Sequence, residues 1–417
     1  MSGLAQRDRA PREPVVITGR AAVTPLGCDI PTILDRLFAG KSGIREYIAD
    51  ARARTDTRFA GPITDLPVPP GVDPDEFKGL DSLEQYSLAA VINSLADAGF
   101  DDLRAVSTTP CPPRIGIVAG LGAEQMKFWE TNSLGGGTTT FESRRDPMIV
   151  HRIADRIGIT GPAITTGAAC GSSGYALALA RAWLDAGWVD VCVAGGCDAM
   201  TATSIAAFYN LRALSRRVDD PAKASRPFDL ARDGFVMGEG GAFFVLERKR
   251  DAVARGARLY GELAGIGMSS DGVHMVAPST DPTQAARAIT AAFADAGVTP
   301  DQIDYFNAHA ASTPVGDVAE AGSIRLACGD ATDAIPVSST KSMTGHLVSG
   351  AAAFEALACL GAIERQAAPP TVNLDNPDPA CPLLHVPHVA RPCPIKVAAS
   401  NSFGFGGSNI CLILRAA

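Results

Sequence analysis

Short apolar runs rich in β-branched residues recur along the chain at 14–18, 114–119, 189–194, 241–246, 260–266, 303–307, 335–338 and 410–414. Each has the length and composition of a buried strand. Between them lie Ala-rich stretches at 85–98, 174–186, 282–296 and 350–365, which predict helices. Strands that alternate with helices and read as continuous apolar runs imply an α/β fold whose sheets are covered on both faces. The pattern also repeats. The runs at 114–120 and 303–309 each enter a small-residue loop, and each is followed by a further strand, a small-residue turn and a long Ala-rich helix. That turn carries Cys170 in the first half, and Lys341 and His346 in the second. An internal duplication brings the two turns together across a pseudo-twofold axis and puts a site between the halves. The division this predicts is a loose charged tail at 1–13, a first half at 14–255 and a second half at 256–417.

Composition narrows the class. The 417 residues carry 37 Lys and Arg against 45 Asp and Glu, a formal charge of −8. Phosphate backbones are bound by clustered cations, so nucleic acid is not an expected partner. An apolar share of 46% places the chain among globular rather than disordered sequences. Ten Cys without a CxxC pair read as reduced thiols, not as a disulfide scaffold or zinc ribbon. No apolar stretch reaches the roughly 20 residues of a membrane span, and the charged opening lacks a signal's apolar centre. The expected location is the cytoplasm, away from membranes.

Candidate chemistry gathers in three small-residue loops. Cys170 lies in TTGAACGSSG at 165–174, just before a helix expected from about Tyr175. A thiol there faces free N–H groups and the positive end of the helix dipole, which predicts a lowered pKa and a nucleophile. A small buried thiol is the ordinary alternative. His309 in NAHAASTP and His346 in STKSMTGH complete a Cys/His/His pattern across the two halves. Cys381, His385 and His388 lie in a Pro-rich segment without a fourth ligand, so no metal is assigned. The loop NSFGFGGSN at 401–409 lacks phosphate-loop spacing and precedes a strand. Its glycines permit a backbone N–H to face a ligand beside a hinged aromatic ring.

With those residues assembled, the chain resembles the β-ketoacyl-[acyl-carrier-protein] synthases of the elongating, class II type. The likeness runs from about residue 14 to the end through the Cys170 loop, AKASRPFD at 222–229, RDGFVMGEG at 232–240, Asn307-Ala-His309, STKSMTGH and Gly404-Phe-Gly-Gly407. It implies a thiolase-like five-layered αβαβα sandwich and a homodimer. Cys170 would take an acyl chain from a carrier-protein thioester. His309 and His346 would assist decarboxylation of malonyl-carrier protein and hold the enolate, with Lys341 and Glu355 tuning the charge. The N–H groups of Cys170 and Phe405 would form the oxyanion hole, and Phe405, between Gly404 and Gly406, would be the gate. Leu121, Phe208, Ser312, Thr313 and Phe403 would contact substrate, and Arg212, Arg216 and Arg217 an acidic carrier. No bound cofactor is implied, since both substrates ride on phosphopantetheine.

The alternatives are a ketosynthase subunit of a type II polyketide-like heterodimer and a non-catalytic chain-length-factor-like partner, which would lack Cys170. A degradative thiolase would want a second late Cys, and a class III synthase would want Cys, His and Asn. A Cys hydrolase would have to admit water past Phe405. Ala310 and Ala311, where the family commonly reads Gly-Thr, and Gly171 after the Cys point toward a specialised acyl chain.

Overall fold

A computed structural model describes residues 12–48, 50–103, 112–134, 136, 137 and 148–417. Of the expected tail, 1–11 lie outside the described residues. Arg12 is fixed by Asp185 at 3.0 Å and Asp295 at 2.9 Å.

Five strands form the first array: β1 (Val15–Val23), β2 (Ile115–Gly120), β3 (Ala163–Thr166), β4 (Val191–Asp198) and β5 (Gly240–Arg248). Six form the second: β6 (Gly261–Ser270), β7 (Tyr305–Asn307), β8 (Pro336–Ser338), β9 (Leu384–His385), β10 (Val397–Gly404) and β11 (Ser408–Arg415). The order across them is β9-β8-β7-β10-β11-β6-β1-β5-β4-β2-β3. Numbered within its own half, each array reads 3-2-4-5-1, with β9 added at one edge. The ladders repeat too: β2 is parallel to β3 and β4, as β7 is to β8 and β10; β9 adds to β8 in parallel, and the remaining pairs are antiparallel. Among the described residues the arrays pair where Val16 and Ile17 meet Glu262 and Gly261.

Six helices frame the site: α1 (Ser82–Asp97), α2 (Ser172–Asp185), α3 (Ala202–Asn210), α4 (Thr283–Ala296), α5 (Gly316–Cys328) and α6 (Ala351–Arg365). Helix α1 covers the outer face of the first array, and α4 with α5 against it covers that of the second. Helices α2 and α6 touch each other and both arrays, which completes the five αβαβα layers.

Strand alternation explains the continuous apolar runs. Along β5, Phe244 and Leu246 enter the central core with Trp183 and Phe354, whereas Phe243 and Val245 enter the outer core with Leu88 and Val91. Along β11, Ile410 and Leu412 face the centre, and Cys411 and Ile413 face Ile289 and Phe293. Both faces are dry, so both parities must be apolar. Every position from Ala351 to Ile363 of α6 is buried, as a middle-layer helix requires.

Candidate active site

The two central helices begin at one place. A 3-10 turn at Ala169–Gly171 leads into α2 at Ser172, earlier than the sequence predicts, and a matching turn at Val348–Gly350 leads into α6. Ser173 Oγ accepts from the Ala353 N–H at 3.0 Å. A Cβ on Gly174 would stand 3.1 Å from Ile410 Cγ2 and 3.2 Å from Ala352 Cβ, so a larger residue there would have to push these neighbours aside by a few tenths of an ångström. Cys170 and His346, just ahead of the two helices, therefore share one pocket.

Cys170 Sγ and one ring nitrogen each from His309 and His346 lie within 4.8 Å of one another. The imidazoles meet edge to face, centroids 5.1 Å apart at 82°. The expected lowering of the Cys170 pKa does not hold. Burial pushes the thiol up to about 12, and the lowering by Lys341's charge and by the Phe405 N–H only partly offsets it. A dipole end acts through a few N–H groups, whereas burial removes most of the water that would solvate the anion. Both histidines are held neutral, well below their ordinary value, first by burial and then by Lys341's charge. The Val348 N–H donates to His346 Nδ1 at 3.3 Å. A neutral ring that accepts at Nδ1 carries its proton on Nε2.

Lys341 and Glu355 form a buried ion pair, each side chain 2% exposed. Ser402 Oγ donates to the other Glu355 oxygen at 3.3 Å. Burial raises the Glu355 pKa and Lys341 opposes the rise. The Lys341 charge beside the Cys/His/His group works against placing a second cation there.

Two acids that the sequence reading missed hold the His309 loop. Glu320 accepts from the His309 N–H at 2.8 Å, the Ala310 N–H at 2.6 Å and Asn401 Nδ2 at 3.2 Å. Burial pushes its carboxyl up to about 7. Asp317 accepts from the Phe228 N–H at 2.8 Å and the Thr313 N–H at 3.1 Å, and burial raises it to about 6. Carboxylates three apart in the first turn of an Ala-rich helix share a face, and that spacing was the available signal. Arg232 fastens the next two residues by donating to Thr313 O at 3.1 Å and Pro314 O at 2.8 Å.

A cavity of about 580 Å³ opens from the thiol to the surface past Phe405, Phe208, Thr313 and Arg212. Phe405 lies edge to face with Phe208, centroids 5.9 Å apart, and Phe208 likewise with Phe235 at 5.2 Å. Phe403 stands 6.0 Å from the His309 ring and lines the same cavity, as do Gly404 and Ala311. A Cβ on Gly404 would strike Ala168 O at 2.5 Å, so the strand end lies directly on the Cys170 turn. Gly406 is exposed at the loop tip.

Other expected contacts lie elsewhere. Leu121 does not line this cavity; it is 4% exposed in the outer core of the first array. Ser312 is fully buried, its Oγ accepting from the Arg226 N–H at 2.9 Å. Arg216 is exposed over the Tyr209 ring, and Arg217 donates to Ala231 O at 2.9 Å. His385 Nε2 lies 2.9 Å from Cys381 O with its ring against Phe228, and His388 faces Asp375 at 3.6 Å.

Comparison with known proteins identifies the family. Residues 12–252 match the family profile "Beta-ketoacyl synthase, N-terminal domain" and 260–375 match the C-terminal domain. The 3-oxoacyl-[acyl-carrier-protein] synthase 2 of Vibrio cholerae is 39% identical over 412 residues, 96% of this chain and 98% of that one. Its counterpart in Synechocystis sp. is 38% identical over 410 residues, covering 96% and 97%. Among solved structures, a β-ketoacyl synthase from Burkholderia phymatum superposes with a TM-score of 0.86 at 32% identity, covering 97% of this chain and all of that one. A type II polyketide ketosynthase, solved with its acyl-carrier protein and bound to the hexaketide, gives 0.84 at 28% with the same coverage.

Proposed function

The chain belongs to the β-ketoacyl synthase family, and from that premise we propose that Cys170 carries the acyl chain while His309 and His346 serve the malonyl half of the condensation. The protein is an acyl-transferring condensing enzyme, a 3-oxoacyl-[acyl-carrier-protein] synthase. The observation that carries the residue assignment is the 4.8 Å grouping of the thiol with two neutral imidazoles.

In the first step the Cys170 sulfur attacks the acyl thioester, the bond to the carrier's pantetheine sulfur breaks, and the thiol proton leaves with that sulfur. The oxyanion is held by the N–H groups of Cys170 and Phe405. Malonyl-carrier protein then enters along the cavity past Thr313. Its carboxylate carbon–carbon bond breaks, CO₂ departs, and the enolate oxygen is held by the two imidazoles. Two donors aimed at one developing charge each lower the barrier by about 2.7–4 kcal/mol. The enolate carbon attacks the Cys170 thioester, the carbon–sulfur bond breaks, the released Cys170 thiolate takes up a proton from water, and the 3-oxoacyl chain leaves on the second carrier. Burial, with the charge of Lys341 second, keeps both imidazoles uncharged at rest.

Phe405 acts as the gate, and Phe208 and Phe403 with it form the apolar wall that the acyl chain passes. Arg212, at the cavity mouth, and the exposed Arg216 meet an acidic carrier. The halves 14–255 and 256–417 act as one body and the enzyme works as a homodimer. No described helix is long and apolar enough to cross a membrane, in keeping with a cytoplasmic location.

Cys170→Ala is expected to abolish self-acylation while malonyl-carrier protein is still decarboxylated, read by intact-protein mass and by CO₂ release. His309→Ala and His346→Ala are expected to keep self-acylation and lose condensation. Equal loss of both half-reactions would instead place the histidines in a thiol-activating pair.

A further inference from the structure

One buried carboxylate at the site, whose charge adds to the rise of the Cys170 pKa, has no role of its own in the steps above. Asp198 ends β4, is 3% exposed and has no cationic partner among the described residues. Its charge is met only by hydrogen-bond donors. Oδ1 accepts from the Ala199 N–H at 2.9 Å, and Oδ2 accepts from the Ser349 N–H at 3.1 Å and from Ser349 Oγ at 2.6 Å. The Ala123 N–H adds a further donor. Ser349 Oγ in turn accepts from the Gly122 N–H at 2.9 Å. Residues following β2 and β4 of the first half thus grip the turn of the second half that precedes α6.

That turn is strained. Val348 has φ +46, in the left-handed region, where a β-branched side chain is an outlier. Strain of this kind persists only where its surroundings hold it, and the next residue in the chain is Ser349. The strained geometry aims the Val348 N–H at His346 Nδ1. Without that donor either imidazole nitrogen can carry the proton.

We propose that Asp198 is a positioning residue for the condensation: through Ser349 it holds the Val348–Gly350 turn in its left-handed form and so keeps the His346 proton on Nε2, facing the thiol and the enolate. The proposal rests on the reading that His346 donates to the enolate. Its first step, the link from Asp198 to the imidazole tautomer, is independent of that reading.

The test uses full-length Asp198→Asn and Ser349→Ala enzymes with ¹⁵N-labelled histidine. In the wild type the His346 ring is expected to show the Nε2–H correlation pattern, and in both variants a share of Nδ1–H. Malonyl-carrier decarboxylation is expected to fall about a hundredfold, the scale of a misplaced catalytic group, with Cys170 self-acylation little changed. Ser349→Thr, which keeps the hydroxyl, is expected to restore both readouts. A His346 ring that stays Nε2–H in both variants overturns the proposal, as does self-acylation falling as far as decarboxylation. A changed tautomer with unchanged decarboxylation leaves the positioning role standing and removes His346 from the enolate.

Discussion

Burial sets the resting state of Cys170, and its reactivity should report that directly. A thiol lifted to about 12 is almost entirely protonated at neutral pH, so alkylation by iodoacetamide should climb about tenfold per pH unit up to about pH 10 without a plateau. A plateau near pH 7 would mean that the helix end and Lys341 outweigh burial. The sequence shows where the proposed nucleophile sits, because a Cys in a small-residue helix start is a local pattern. It does not show the pKa, because desolvation depends on Phe405, Phe235 and the opposite half of the chain. Glu320 was legible only as one of two acids on a shared helix face: its role appears when α5 lies against the His309 loop. Its carboxyl is raised from 4.5 to about 7 by burial. The folded state therefore binds this proton more tightly than the unfolded chain does, and the resulting stabilisation, complete below about pH 4, is lost as pH rises toward 7, about 3 kcal/mol in all. Glu320→Gln should flatten the fall in Tm between about pH 5 and 8. Parallel Tm profiles for the two proteins would show that Glu320 does not carry the proton.

At the scale of elements, the strands that the sequence hides are the ones that build the site. Eight apolar runs lie within or overlap observed strands, but β10 is missed because its middle reads Ser400-Asn401-Ser402. Asn401 and Ser402 are buried to serve Glu320 and Glu355, so function erases the apolar signal there. The gate loop after β10 was legible from its glycines, though not the segment it is tied to. The Asp271 N–H donates to Gly407 O at 3.0 Å, and the Gly406 N–H donates to Met275 O at 3.0 Å. Gly406 and Gly407 both have positive φ, at +83° and +78°. A Cβ on Gly406 meets nothing within 4 Å, whereas one on Gly407 would stand 2.0 Å from Asp271 Oδ1. Gly406→Ala should cost only the left-handed strain of about 1–2 kcal/mol. Gly407→Ala should cost more and slow acylation by carrier-bound substrate, because it drives the gate off the 271–275 segment. Equal effects on Tm and on acylation rate would mean that the two segments are not coupled.

For the whole molecule, the duplication was readable because each half repeats a strand, a loop, a second strand, a turn and a long helix. The free edge of the sheet was not, since β3 is four residues long and carries Thr165 and Thr166 beside Ile164. Among the described residues it ends the sheet, bonded to β2 on one side. Ile164 is 42% exposed there, and Trp129 on the helix Ala123–Leu134 is also 42% exposed. The opposite end of the sheet is covered by β9, so the halves differ in just this respect. An uncovered edge with apolar side chains invites another strand, and a twofold axis through β3 would let two copies satisfy each other with a single patch. The homodimer proposed above would then run one sheet through both subunits. Ile164→Lys tests this edge, because an ammonium placed between two copies loses its water without a counter-charge. Light scattering should fall from twice 43.1 kDa to 43.1 kDa at concentrations where the wild type is paired, with dimer Kd raised about tenfold or more. An unchanged mass would exclude β3 as the seam and leave the exposed Ile164 and Trp129 to a different contact.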